Sequence, residues 1–215
     1  MNNKVVNATR RLAEILPLQQ NLASLDDTSR KIYKYIIKSF VNAGQPPSLQ
    51  DISELSPLPI EVVQSLAAKD MITLNENLEI TGAYPFTVEQ RAHRLIISNH
   101  ELHAMCALDA LAPAAMFHCP STIDSQCEVS KKPVHIELDN KTILNDEARE
   151  TFFGINWQAA CSSQSCASSL CTEMVFLLNK TIAEQWLNEN PEQREIFTLP
   201  EAVEFSAAFF VPLMQ

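Results

Sequence analysis

Glycine is almost missing, with 3 in 215 residues. Too few remain for a glycine-rich loop that cradles phosphate, so a nucleotide cofactor is not expected. Cations are short too: 16 Lys and Arg stand against 26 Asp and Glu, a formal net charge of -10. The deficit is uneven. Residues 1–80 carry 8 basic and 9 acidic side chains, a net of -1, and residues 81–215 carry 8 against 17, a net of -9. An acidic half is a poor surface for nucleic acid, because phosphate contacts need clustered Lys and Arg. No run approaches the ~18 consecutive apolar residues of a membrane span. The opening MNNKVVNATRRLAEIL lacks the apolar core and cleavage pattern of an export signal. The expectation is a cytoplasmic chain with no membrane partner.

What is present is an ordinary globular balance, 46% apolar and 20% charged. Six cysteines without an export signal imply reduced thiols, available for metals or catalysis. They fall at Cys106, Cys119, Cys127, Cys161, Cys166 and Cys171.

The first part of the chain reads as helices. Val5 to Leu16 has helical apolar spacing with Pro17 as its stop. Thr28 to Ala43 carries a stripe of Ile32, Tyr35, Ile36 and Phe40, closed by Gly44 and Pro46-Pro47. Ser48 with Asp51 forms a capping box for a short helix. Leu58 to Lys69 follows, with Pro59 near its first turn. Met71 to Thr81 has two apolar runs around Asn75-Glu76-Asn77, a hairpin signature. Helix, short helix, helix, hairpin is the order of a winged helix-turn-helix. The would-be recognition helix, however, offers Glu61, Gln64, Ser65, Lys69 and Asp70 and no Arg, so DNA is not expected as its ligand.

Gly82-Ala83-Tyr84-Pro85 marks a junction. Beyond it, strands are expected around Phe86–Val88 and Arg94–Ile97, at Ser121–Ser130 and Pro133–Leu138, over Phe152–Ala160 and over Glu173–Leu178. A helix is expected over Glu101–Ala115, with Leu102, Met105, Ala112 and Met116 on one stripe and Pro113 as its break. Thr181 and Glu184 suggest a capping box for the helix holding Trp186, and Pro200 opens a last helix to Phe210. The fold class is α+β: a winged-helix-like module over 1–81, then a mixed strand and helix domain over 82–215.

Two groups of residues carry chemistry. Cys106 and Asp109 are three apart, so a thiol and a carboxyl face the same way about one turn from each other. An isolated C-x-x-D is more often core than chemistry, because free cysteine packs well as a small apolar side chain. The run Cys161-x4-Cys166-x4-Cys171 sits in small polar residues and reads as a loop. Cys161 and Cys166 are further candidates as metal ligands there, although zinc sites usually set closer pairs apart by a longer loop. His103, His118 and His135 show no persuasive ligand spacing to a cysteine and read as surface or satisfied histidines.

Met105-Cys106-Ala107-Leu108-Asp109-Ala110-Leu111, with Ser125-Gln126-Cys127 and the hairpin through Pro133, resembles the core of the alkylmercury lyase (organomercurial lyase) family. The resemblance runs from about Gly82 to Leu138 and returns at Leu170-Cys171 through Trp186. It implies an alkylmercury-lyase-like domain over 82–215, a winged-helix-like N-terminal domain of a kind not known to read DNA, and a catalytic set of Cys106, Asp109 and Cys171. Cys106 and Cys171 would hold mercury as substrate and product. Cys127 matches a further family cysteine with a structural role. The family often has two adjacent cysteines at the Cys171 site, and here Thr172 follows. The implied activity is protonolysis of a carbon–mercury bond in mercury detoxification, giving a hydrocarbon and thiol-bound mercury(II). It needs no cofactor but does need external thiols, with small thiols or a mercuric reductase accepting the metal. The competing reading is a cysteine-based metal-binding or metal-sensing protein that keeps a DNA-binding module. Asp109 separates them, because a sensor needs thiols but no acid beside Cys106.

Overall fold

The computed structural model describes residues 2–161 and 165–215, the side chains of 160 and 161 excepted. Asn2 starts the first helix by accepting the Val5 N–H, and α1 runs Asn3–Ile15. A short α2, Leu18–Ala23, follows at once. In α3, Asp27–Ala43, the Asp26 side chain caps the start, and Gly44 at φ 70 closes the end in the left-handed conformation that glycine adopts without cost. The buried face of α3 is Ile32, Tyr33, Ile36, Ile37 and Phe40. Tyr35, expected on that stripe, is 38% exposed, because at 3.6 residues per turn it falls beyond the edge of the face centred on Tyr33, Ile36 and Phe40. Ser48 and Asp51 form the expected reciprocal box ahead of α4, Leu49–Ser53, and Pro59 opens α5, Pro59–Ala68. The hairpin follows as β1, Ile72–Leu74, and β2, Ile80–Ala83, paired antiparallel.

The helix expected over Glu101–Ala115 is only half there. His100–Ala104 is strand β5, paired with β3 (Phe86–Thr87) and β4 (His93–Ile97). Leu102 and Ala104 are buried while Glu101 is exposed, so the governing period is two and the apparent helical stripe was coincidence. Helix begins only after Cys106, as α6, Ala107–Ala110, then α7, Ala112–Phe117. Pro113 lies in the first turn of α7, where a missing N–H costs nothing, so it starts a helix rather than ending one.

Strands β6 (Pro120–Gln126), β7 (Pro133–Asp139) and β8 (Thr142–Ile143) complete an antiparallel sheet of order β1-β2-β3-β5-β4-β6-β7-β8. Because Gly82 and Ala83 of β2 pair with Thr87 and Phe86 of β3, this sheet runs unbroken across positions 81 and 82. A second sheet of order β10-β9-β11 joins Phe152–Asn156 (β9), Met174–Leu177 (β10) and Arg194–Thr198 (β11). β9 stops at Asn156 rather than Ala160, where the chain tightens into a 3-10 turn from Trp157. α8, Lys180–Asn188, is capped by Asn179 accepting the Ile182 N–H, not by Thr181; Glu184 instead pairs with Lys180 at 3.6 Å. Asn179 wins because it precedes the first helical residue, where a short acceptor reaches the free N–H groups.

α9, Leu199–Phe210, opens on a Thr198–Glu201 capping box and is the axis of the second half. Phe205 packs with Phe153 and Phe197 of the small sheet at centroid distances of 6.2 and 5.6 Å. α1 lies along α9: Asn2 donates to Glu201 at 2.7 Å, and the Lys4 ammonium reaches the Ile196 carbonyl and sits over the Phe197 ring. The first and last helices thus close on each other. Among the described residues no helix is long and apolar enough to cross a membrane.

Candidate active site

The sheet delivers Cys106. β5 ends at Ala104, and Cys106 follows as the residue that caps α6, in extended backbone geometry with φ -152 and ψ 177. Its sulfur takes the place a serine or threonine oxygen usually holds, accepting the Asp109 N–H at 3.3 Å. Asp109 is the third residue of that helix, so the cap itself brings thiol and carboxyl together. The expectation from a three-residue spacing holds, but through cap geometry rather than a continuous helix.

Cys171 arrives from the other half. It sits in a 3-10 turn, Leu170–Glu173, leading into β10. Its sulfur lies 3.9 Å from Asp109 Oδ2. The two sulfurs and a carboxylate oxygen of Cys106, Asp109 and Cys171 lie within 4.8 Å of one another. All three residues are 3% exposed or less. Cys166 is brought here too, its sulfur 3.8 Å from that of Cys171. The Cys161 side chain lies outside the described residues.

The pocket around these donors is apolar and nearly full. Leu12 of α1 and Leu16 just after it, Leu108 of α6, Met174, and Phe209 and Phe210 of α9 close it, leaving about 10 Å³ free. Of Met105, Leu108 and Phe117, apolar neighbours of Asp109 in sequence, Leu108 lines this pocket. Phe117 instead packs on Phe86 at 6.2 Å, and Met105 lines a neighbouring cavity. The walls come mainly from the two ends of the chain. Burial pushes the Asp109 carboxyl up to about 7, against hydrogen bonds from Cys106 and the charge of Arg91, which pull it down. Burial pushes the Cys106 thiol up to about 12. Cys171 is raised as well, chiefly by its hydrogen bonds with Cys106 and Cys166 and then by burial. At rest the site therefore holds protonated thiols and one carboxyl poised near neutrality.

Two residues that sequence reasoning missed hold the loop in place. Asp70, just past α5, accepts the Cys166 N–H at 2.8 Å. Arg91, between β3 and β4, donates to the carbonyls of Ala167 at 2.9 Å and Met105 at 3.3 Å, tying the loop to the strand end beside Cys106. Both act on backbone groups, so no motif announced them. Met174 was missed as well; its sulfur accepts from the Cys106 thiol at 3.5 Å. Cys127, expected as structural, is buried just beyond β6, its sulfur accepting the N–H groups of Leu178 and Ser130 at 3.4 and 3.5 Å.

An outer cavity of about 310 Å³ adjoins the pocket, with Arg91, His93, Met105 and Gln126 among its walls. Cys171 and Met174 line both spaces and form the partition between them.

The family model for alkylmercury lyase matches residues 86–211, more than half of the chain. An alkylmercury lyase of Staphylococcus epidermidis is 27% identical over 150 residues, covering 69% of this chain and 68% of that protein. One from Bacillus cereus is 22% identical over 177 residues, covering 82% and 79%. The crystal structure of the mercury-bound form of MerB2 superposes with a TM-score of 0.76 at 21% identity, covering 94% of this chain and 100% of that one, which shows a shared fold. The chain belongs to the alkylmercury lyase family and is an enzyme of that family.

Proposed function

We propose that this enzyme cleaves the carbon–mercury bond by protonolysis, with Cys106 and Cys171 as the mercury ligands and Asp109 as the proton carrier. The observation that carries this reading is the cluster of two sulfurs and a carboxylate within 4.8 Å, sealed in an apolar pocket. Mercury(II) is soft, and thiolate is the softest ligand that a protein offers.

The organomercurial arrives as a small-thiol adduct, R–Hg–SR′, through the outer cavity, where Cys171 and the flexible Met174 meet it. Cys171 displaces the small thiolate, which leaves carrying the Cys171 proton as R′SH. Asp109, as carboxylate, takes the proton of Cys106. The Cys106 thiolate joins the mercury and pushes electron density onto the carbon. Asp109 returns the proton to that carbon, R–H departs, and mercury(II) stays on two sulfurs with Asp109 again a carboxylate. A carboxyl with a pKa of about 7 can both accept and give a proton near neutral pH. No cofactor enters this sequence. Small thiols, or a mercuric reductase, remove the metal in the cytoplasm.

The order α3, α4, α5 and the β1–β2 hairpin supports a winged-helix-like module over 1–81, with the catalytic residues in 82–215. Its role here is structural, since Leu12 and Leu16 wall the pocket.

The test is gas-phase detection of methane or benzene from methylmercury or phenylmercury with excess small thiol. Hydrocarbon from the wild type, lost in Asp109→Ala and Cys171→Ser, is the expected result. Tight mercury binding without hydrocarbon would make the protein a thiol trap or sensor.

A further inference from the structure

The mechanism uses two thiols, yet the pocket holds a third. Cys166 is buried, lines the same small pocket as Cys106, Asp109 and Cys171, and rests with its sulfur 3.8 Å from that of Cys171. Its backbone is fixed by Asp70, and the next residue by Arg91, so the sulfur is held rather than adrift. A soft cation bound to Cys171 lies within reach of this sulfur after little movement. Cys166 also sits toward the outside: Ser165 and Ser168 beside it are exposed, whereas Cys106 is enclosed between β5 and α6.

We propose that Cys166 is a third mercury-binding residue, which takes the product ion over from Cys106 and carries it toward the surface. The proposal rests on the lyase reading and concerns the fate of the metal once the carbon–mercury bond is broken. The exchange is balanced without any redox change. Asp109, left as a carboxylate by protonolysis, takes the Cys166 proton, and the new thiolate adds to mercury(II), giving a three-sulfur complex. Mercury(II) rests on all three sulfurs until an incoming small thiol adds to it from the Cys166 side. The Cys106–mercury bond then breaks, and Cys106 takes the proton back from Asp109, leaving the ion on Cys171, Cys166 and the small thiol. Three-sulfur mercury is the intermediate through which thiol exchange proceeds by association, so a fixed third thiol shortens the route out.

The experiment loads intact protein anaerobically with one equivalent of mercury(II), without added thiol, and counts Hg–S neighbours by X-ray absorption in the wild type and in Cys166→Ser. It then follows glutathione-driven mercury release, and hydrocarbon yield in a single turnover, for both. The expected result is three sulfurs in the wild type and two in the variant. Mercury release should be slowed about tenfold in the variant. Two sulfurs in the wild type would overturn the proposal, whatever the variant does. So would three sulfurs that persist in Cys166→Ser, or equal release rates. Failure of the lyase reading shows separately, as absence of hydrocarbon from the wild type, because the coordination measurement uses mercury(II) alone.

Discussion

The two sides of the site are built in different ways. Cys106 and Asp109 stand on a wall made by a strand end and a helix start, where local geometry fixes both side chains and the whole core supports them. Cys171 and Cys166 hang on a loop of 3-10 turns that two outside side chains, Asp70 and Arg91, hold by its backbone. The wall supplies precision and desolvation. On the proposed mechanism, the loop supplies a second sulfur that must approach, bind metal and let it go. Damage to the wall should therefore cost both rate and stability, and damage to the loop fastenings should cost rate at little expense in stability.

The largest effect is expected at Asp109. Asp109→Asn keeps the shape of the wall but cannot carry a proton, and hydrocarbon release should fall by about a thousandfold, within the usual range for a general acid–base group. Mercury(II) binding, read by titration, should persist. Loss of binding along with the rate would mean that the residue builds the site rather than works in it.

The same substitution should alter stability in a pH-dependent direction. The folded-state carboxyl is raised from 3.8 to about 7. Between those values the folded chain keeps a proton that the unfolded chain has released, so stability falls as pH rises through this window. Asp109→Asn removes that penalty. Its stability relative to the wild type should improve by on the order of 2–4 kcal/mol from pH 4 to pH 7.5 in denaturant titrations. A constant offset across pH would show that the carboxyl is not desolvated. The wild-type rate should in turn rise with pH through about 7, as the carboxylate form appears.

A third test presses the wall from behind. A Cβ at Gly82 would lie 2.5 Å from Met105 Cε and 2.9 Å from the Phe86 carbonyl. Met105 can shift but the carbonyl cannot, so Gly82→Ala should destabilise the protein by about 1–3 kcal/mol and slow catalysis together. On the loop side, Arg91→Met removes the clasp on Ala167. It should lower kcat about tenfold while Tm moves by less than in Gly82→Ala. A loss of Tm as large as that of Gly82→Ala would erase the distinction between wall and loop.

Much of the wall could be read from the sequence and little of what encloses it. The Cys106–Asp109 spacing was informative because a cap and its third residue are local partners. The boundary of the helix was misread because Leu102 and Met105 are three apart, and a strand followed by a helix start can imitate one helical face. Caps written in short-range residues, such as Ser48 with Asp51, were legible, whereas Asn179 was passed over for the more familiar Thr–Glu pattern at Thr181. Cys171 was found by resemblance, but its fastenings were not: Asp70 and Arg91 bind backbone atoms 96 and 76 residues away. Most of the apolar lining comes from Leu12, Leu16, Phe209 and Phe210, far from Asp109 in sequence. Long-range desolvation leaves no local signature.

That both ends of the chain wall the pocket also sets when the chemistry becomes possible during synthesis. A nascent chain that has not yet delivered Phe209 and Phe210 already presents Cys106, Asp109 and Cys171, but to water. Its carboxyl is then an ordinary acid, ionised at neutral pH, and its thiols are ordinary thiols. On the proposed mechanism, such a chain captures an organomercurial but lacks the raised carboxyl that returns a proton to carbon. Cleavage then waits until α9 has been made and packed against α1, so the order of synthesis separates capture from cleavage.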